Sequence, residues 1–309
     1  MPSSSQTKPC WSLDDLKSWE TGGALLQPPA RLAVIGDPVA HSLSPQMHNP
    51  ALAARGIDAQ YIRVQVAPGR VKEALELFRG HGFAGINCTI PHKFEALAAM
   101  DEIDPLAQKL GAVNTVLIRD GKFTGFNSDG PGFLRAVEEI FGTSVQGRKV
   151  LIVGAGGGAG QAVAKQCVIS GCSHLFLVNR TVEKVQDLVT MLKLSSAAEI
   201  HAAALSSPEL RDFVSEADLI VNATSLGLKE GDLDVLPHSL ITARHWVFDM
   251  VYRKGGTTPL IAAARDAGAA CCDGLPLLLH QGAVSFGHWF GEPVPLEVMR
   301  EGLRAAATV

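Results

Sequence analysis

The chain has 309 residues, 47% of them hydrophobic, and a net charge of -4. That length exceeds a typical domain of about 100–200 residues and predicts two units, each with its own core. The small negative charge offers no basic field for nucleic acid or an anionic membrane, and the six cysteines, without CxxC or framework spacing, predict reduced thiols and no metal site.

The opening stretch, MPSSSQTKPCWSLDDLKSWETGGALLQPPA (1–30), lacks the apolar core of a signal peptide, and no later run is long enough to span a bilayer. A soluble cytoplasmic protein is expected. Ser12 can cap a short amphipathic helix before Gly and Pro break the pattern, so this stretch reads as an extension packed on the main body.

From Arg31 onward, β-branched runs alternate with helical patterns. RLAVIG, AQYIRVQV, GINCTI and NTVLIR read as strands, with SPQMHNPALAAR, GRVKEALELFRG and FEALAAM as the helices between them. Such alternation predicts βαβ units and a mostly parallel sheet. DGPGFLRAVEEIFG reads as a linking helix with Asp129 near its start. A second series follows: KVLIVG, a glycine turn, AVAKQCVISG, HLFLVN, VEKVQDLVTMLK, DLIVNAT and WVFDMVY. The last segment is an apolar helix, GLPLLLHQGAVSFGHWFG, and a short one, LEVMREGLRAA. No linker of biased composition separates the series, which predicts two α/β domains meeting around a cleft.

VLIVGAGGGAGQAVAKQ places an apolar strand before Gly154, Ala155, Gly156, Gly157 and Gly158 and a helix after them. Glycine lets the backbone approach a phosphate, and the helix N-terminus offers free N–H groups, so in this context the turn predicts a Rossmann-type dinucleotide site. The next strand ends at Asn179, Arg180 and Thr181, with Lys184 one turn on and no carboxylate at the tip. Two cations suit a ribose 2′-phosphate, which favours NADP over NAD.

In the first series Ser42 and Ser44 lie in a loop before a helix started by Pro45. Ser44 suits a helix N-cap, and two hydroxyls there could hold a carboxylate. Lys93 follows a strand end and Pro91, at the sheet edge where open α/β sheets bind ligands. Taken alone, Lys93 also reads as a surface lysine and Asp129 as an N-cap. His41, His48, His92 and His280 match no metal spacing and read as hydrogen-bonded or surface side chains.

Taken together, VIGDPVAHSLSPQMHN, GINCTIPHK, GAVNTV, GFNSDGPGF, GAGGGAGQA, NRT, NATS, DMVY and GLPLLLHQG resemble the shikimate dehydrogenase family in order and approximate spacing. The likeness runs from about Arg31 to Gly291. It implies reversible, NADP-dependent oxidation of the shikimate 3-hydroxyl to 3-dehydroshikimate in aromatic amino acid biosynthesis, by a monomer or homodimer. It implies a substrate domain of 31–133 with 275–309 and an NADP-binding domain of 134–274. Lys93 and Asp129 would be the catalytic dyad. Ser42 and Ser44 would bind the carboxylate, with Thr89, Asn114, Tyr252 and Gln281 contacting the ring hydroxyls or the carboxylate. Gly154 to Gly158, Asn179 to Lys184, Met250 and Gly274 would line the cofactor, and Thr224 would lie near the nicotinamide.

Three departures bear on affinity: Gly160 stands where the family often has a basic residue, the loop after Tyr252 is one residue longer, and Leu277 replaces a frequent methionine. Two alternatives remain. Quinate dehydrogenase shares most of these motifs, although the Ser-x-Ser pair and the basic cofactor tip favour shikimate and NADP. A metabolite sensor would keep the fold without turnover, although this chain retains Lys93, Asp129 and the glycine turn.

Overall fold

The apolar runs of the chain form two open sheets, each in its own unit. The computed structural model describes residues 8–308. The first unit takes the described residues up to Ser128 together with Gln281–Ala307; the second is Asp129–His280.

In the first unit the elements run β1 (Trp11–Ser12), α1 (Leu13–Lys17), β2 (Ala30–Gly36), α2 (Ser44–Ala54), β3 (Gln60–Gln65), α3 (Val71–Gly80), β4 (Gly85–Cys88), α4 (Lys93–Ala98), β5 (Glu102–Ile103), α5 (Pro105–Leu110), β6 (Thr115–Arg119) and β7 (Lys122–Phe126). The sheet order is β1-β3-β2-β4-β6-β7-β5. Strands β1 to β4 pair in parallel, and so do β5 and β7, while β6 runs antiparallel to both β4 and β7. The β6–β7 hairpin turns through Asp120 at φ 52° and Gly121 at φ 75°, the left-handed pair that a two-residue turn needs. Sequence reading passes over β7, although Asp120-Gly121 is its signal.

The described part of the amino-terminal stretch, from Trp11 to Leu26, packs into this unit's core. Ser12 accepts from the Asp15 N–H while the Asp15 carboxylate accepts from the Ser12 N–H, a capping box that starts α1. Trp11, Leu16, Trp19 and Leu26 are buried with Val64, Phe78 and Phe83, so β1 extends the sheet at the β3 edge and leaves its apolar side chains covered.

The second unit runs α6 (Asp129–Phe141), β8 (Lys149–Val153), α7 (Gly158–Ile169), β9 (His174–Asn179), α8 (Glu183–Ser195), β10 (Glu199–Ala204), α9 (Glu209–Glu216), β11 (Leu219–Asn222), β12 (Trp246–Asp249), α10 (Pro259–Asp266) and β13 (Ala270–Cys272). Its sheet is parallel throughout, ordered β10-β9-β8-β11-β12-β13. Counted within the unit this is 3-2-1-4-5-6, the doubly wound order in which the strand order reverses between β8 and β11 while every strand stays parallel. Alternate residues face opposite cores: Val150 and Ile152 on one side, Leu151 and Val153 on the other. Burial on both faces explains why these strands read as unbroken apolar runs.

Helix α11 (Leu275–Phe290) is followed by α12 (Leu296–Ala307). The Trp289 indole donates to the Val116 carbonyl and covers Gly85, where a Cβ would sit 2.3 Å from the ring. On α12, Gly302 lets the helix pack on α2, since a Cβ there would meet the Gln46 carbonyl at 2.3 Å.

Candidate active site

At the C-terminal end of β4 the chain leaves the sheet at Thr89 and re-enters a helix at Lys93, the first residue of α4. Thr89 lies on Gly36, the last residue of β2; a Cβ there would come within 2.5 Å of the threonine methyl. His92 is buried and its Nε2 bonds the Val66 carbonyl at 2.8 Å. The Lys93 carbonyl accepts from the Val113 N–H, and only 8% of Lys93 is exposed. Being mostly buried, Lys93 does not have the surroundings of a solvated surface lysine.

The strands beside it carry a connected array of amides and hydroxyls. The Tyr61 hydroxyl donates to Asn87 Oδ1 at 2.7 Å. Asn87 Nδ2 faces the Asn114 carbonyl, Thr115 Oγ1 and Ser285 Oγ at 3.0–3.1 Å. Asn114 Oδ1 accepts from the Ser128 N–H at 2.7 Å, its Nδ2 donates to Ser128 Oγ, and Ser128 Oγ reaches Gln281 Oε1. Burial raises the Tyr61 phenol well above its ordinary pKa, and a bond from Ser44 partly offsets this. The structure thus brings Asn114 and Gln281 into one network with Tyr61, Asn87, Thr115, Ser128 and Ser285, none of which sequence reading selects, while Ser44 bonds Ser42.

Ser44 departs from its expected place. The N-cap of α2 is Leu43, without a side-chain cap, and Ser44 is already helical. Ser42 takes the capping part, accepting from the Ser44 N–H at 3.3 Å and lying 3.1 Å from its hydroxyl. The extra turn residue leaves both hydroxyls at the start of α2, and Arg63 Nε holds the loop through the Ser42 carbonyl at 2.7 Å.

In the second unit the glycine turn joins β8 to α7. Gly154 has φ +89°, and a Cβ there would lie 2.6 Å from Thr224 Cγ2 and 2.8 Å from Thr224 N. Gly156 lies under Asn179, whose Oδ1 accepts from its N–H at 3.4 Å. Gly160 sits in α7 with no room for a side chain: a Cβ would stand 2.5 Å from the Gly154 carbonyl. In this chain Gly160 is the glycine that seats the helix on the turn. Arg180 and Lys184 are exposed beyond the end of β9. Met250 follows β12, and its carbonyl would lie 2.3 Å from a Cβ on Gly274. Tyr252 is half-buried in the loop after it, and Asp129 opens α6 with 6% exposure.

Family models match the chain three times: a shikimate dehydrogenase substrate binding domain over 34–116, a shikimate / quinate 5-dehydrogenase over 135–228, and a shikimate 5'-dehydrogenase C-terminal domain over 274–304. Over 279 residues, 89% of this chain and 94% of the relative, it is 40% identical to a shikimate dehydrogenase (NADP(+)) of Symbiobacterium thermophilum. The chain belongs to the shikimate dehydrogenase family.

Solved structures of this family superpose on it. A Thermus thermophilus shikimate 5-dehydrogenase in complex with NADP(H) and shikimate is 36% identical, with a TM-score of 0.79, covering 90% of this chain and 99% of that one. A quinate dehydrogenase of Corynebacterium glutamicum in complex with NAD is 32% identical, with a TM-score of 0.80, covering 89% and 98%.

The histidines of this family member sort by environment. His41 is exposed, and His280 pairs with Glu139 at 2.6 Å. His48 is neither surface nor hydrogen-bonded: it is fully buried, stacked on Tyr61 at 4.4 Å, and neither ring nitrogen has a partner. That burial pulls its pKa down from 6.5 to about 3. All six cysteines are free thiols, and desolvation pushes the Cys88 thiol up to about 12. Among the described residues no cluster is placed to hold a metal ion, and no helix is long and apolar enough to cross a membrane.

Proposed function

We propose that this chain catalyses the reversible oxidation of the shikimate 3-hydroxyl to 3-dehydroshikimate with NADP. The observation that carries the reading is the buried lysine that opens α4 just after β4, the strand that carries Asn87 of the Tyr61–Asn87–Asn114–Gln281 network, in a chain whose relatives are shikimate dehydrogenases (NADP(+)). Ser42 and Ser44 receive the carboxylate at the start of α2. Thr89, Asn114, Tyr252 and Gln281 bind the ring hydroxyls or the carboxylate. Lys93 takes the proton of the 3-hydroxyl as that carbon is oxidised, and Asp129 is the carboxylate of the dyad.

The cradle fits a dinucleotide: Gly154 and Gly156 expose backbone to a pyrophosphate, with the start of α7 beyond them. Ala155, Gly157 and Gly158 complete the turn, and Asn179, Arg180, Thr181 and Lys184 receive the adenosine 2′-phosphate. Thr224, Met250 and Gly274 flank the nicotinamide, which when bound supplies the hydride acceptor. The enzyme works in the cytoplasm as a monomer or homodimer, which sedimentation of the purified protein tests.

NADPH formation at saturating shikimate tests the reaction. Lys93→Ala should lower kcat by about 10²–10⁴-fold with little change in KM; near-normal turnover would remove Lys93 from the chemistry. Quinate is the second reading, favoured by the likeness to the Corynebacterium glutamicum quinate dehydrogenase. Rates on both acids with both cofactors decide between them.

A further inference from the structure

Asp249 ends β12 as a fully buried carboxylate. Three donors converge on it. Asn222 Nδ2 at 2.8 Å and the Val251 N–H at 3.0 Å share Oδ1, and the Thr258 hydroxyl donates to Oδ2 at 2.6 Å. Ionised, a carboxylate only accepts, so Asn222 turns its nitrogen towards Asp249, and the same nitrogen also donates to the Leu226 carbonyl at 3.1 Å. Its Oδ1 is then left to accept from the Thr224 N–H at 2.9 Å and the Thr224 hydroxyl at 2.7 Å. The Leu226 N–H closes the turn by donating to Thr224 Oγ1 at 3.0 Å. A flipped Asn222 amide would oppose N–H to N–H at Thr224.

The turn so fixed is the one packed against Gly154. On its other side Asp249 anchors Val251, whose carbonyl accepts from the Gly274 N–H at 3.0 Å. Asp249 thereby holds both Thr224 and the Met250–Gly274 contact from beneath. We infer that Asp249 is a positioning residue for the cofactor: through Asn222 it sets the hydrogen-bond direction of the 222–226 turn against which the nicotinamide half of NADP rests. This inference rests on the NADP reading above.

The test is calorimetric Kd for NADP on the full chain, with kcat, KM for NADP, and Kd for shikimate measured without cofactor. Asp249→Asn keeps the shared Oδ1 acceptor and lets the Thr258 hydroxyl rotate, so it should stay within about threefold of the parent for NADP. Asp249→Ala removes the acceptor and should raise both NADP constants by about tenfold or more. Shikimate Kd should rise less than the NADP constants, because of its proposed ligands only Tyr252 lies in the second unit, next to the Val251 that Asp249 anchors, and the others lie in the first unit and do not touch Asp249. Asn222→Asp, which keeps side-chain volume and sets two carboxylates together, should match Asp249→Ala and reads the same effect if the alanine variant does not fold. The inference is overturned if the disrupting variants leave NADP constants within about twofold, if Asp249→Asn is as damaging as Asp249→Ala, or if shikimate Kd rises in step. A parent protein that binds NADP without oxidising shikimate sinks the proposed reaction instead.

Discussion

The Tyr61 hydroxyl donates to Asn87 Oδ1 across 2.7 Å inside the first unit, and that one bond orients the amide on which the candidate substrate array is built. With its oxygen taken, Asn87 turns its nitrogen to the Asn114 carbonyl, Thr115 and Ser285. Each buried group satisfied this way would cost about 1–3 kcal/mol if left orphaned.

Asn87→Ala orphans several of these groups at once. It should cost about 2–4 kcal/mol of stability and raise shikimate Kd while leaving NADP Kd unchanged. Urea unfolding and calorimetry check both; unchanged stability would mean that the array does not depend on Asn87.

His48 makes acid stability the next expectation. Its pKa is 6.5 unfolded and about 3 in the fold, so between those values the unfolded chain binds a proton that the native state refuses. Its contribution is therefore intact above pH 6.5 and is lost as pH falls, at about 1.4 kcal/mol per unit until about pH 3. His48→Phe keeps the stack on Tyr61 and removes two orphaned nitrogens. It should gain about 1–3 kcal/mol at neutral pH and widen its lead over the parent towards acid. Unfolding midpoints at several pH values decide, and a parallel pair of curves would contradict the assignment.

Gly160→Ala should strain the seat of α7, because its Cβ meets the Gly154 carbonyl rather than a movable side-chain end. A loss of about 1–3 kcal/mol is expected, with weaker NADP binding and unaltered shikimate Kd. A fully stable variant with parental NADP affinity would show that the turn can yield.

Arg63 spans the Ser42 carbonyl, Gln46 Oε1 at 2.6 Å and the Pro9 carbonyl. Lysine cannot fork in this way, so Arg63→Lys should raise KM for shikimate by about 3–10-fold through a looser Ser42 loop, with kcat nearly unchanged. Steady-state kinetics check it, and an equal fall in kcat would place the effect elsewhere.

Arg180 and Lys184 lie exposed past β9. Replacing both with alanine should lower the preference for NADP over NAD by about tenfold or more, mostly through KM for NADP. An unchanged ratio of the two efficiencies would remove them from phosphate recognition.

What the sequence by itself determined is whatever acts over a few residues. Strand-helix alternation, the glycine turn, the Ser12 cap and the position of Lys93 beyond Pro91 are local patterns of period, backbone freedom and capping. Asp120-Gly121 was equally local and marks the hairpin that brings in β7. The tertiary structure alone decided the rest. Asn87 and Ser285 lie 198 residues apart and bond at 3.0 Å, and nothing near either residue announces the other. Gly36, Gly85, Gly160 and Gly302 have no positive φ that a turn would betray; they are required by side chains or carbonyls arriving from elsewhere. His48 looks like any helical histidine until Tyr61 and Phe286 stack beside it. Helix α11 keeps its regular pattern while the chain passes from one unit to the other between His280 and Gln281, because helical periodicity records that a face is buried and not which core buries it.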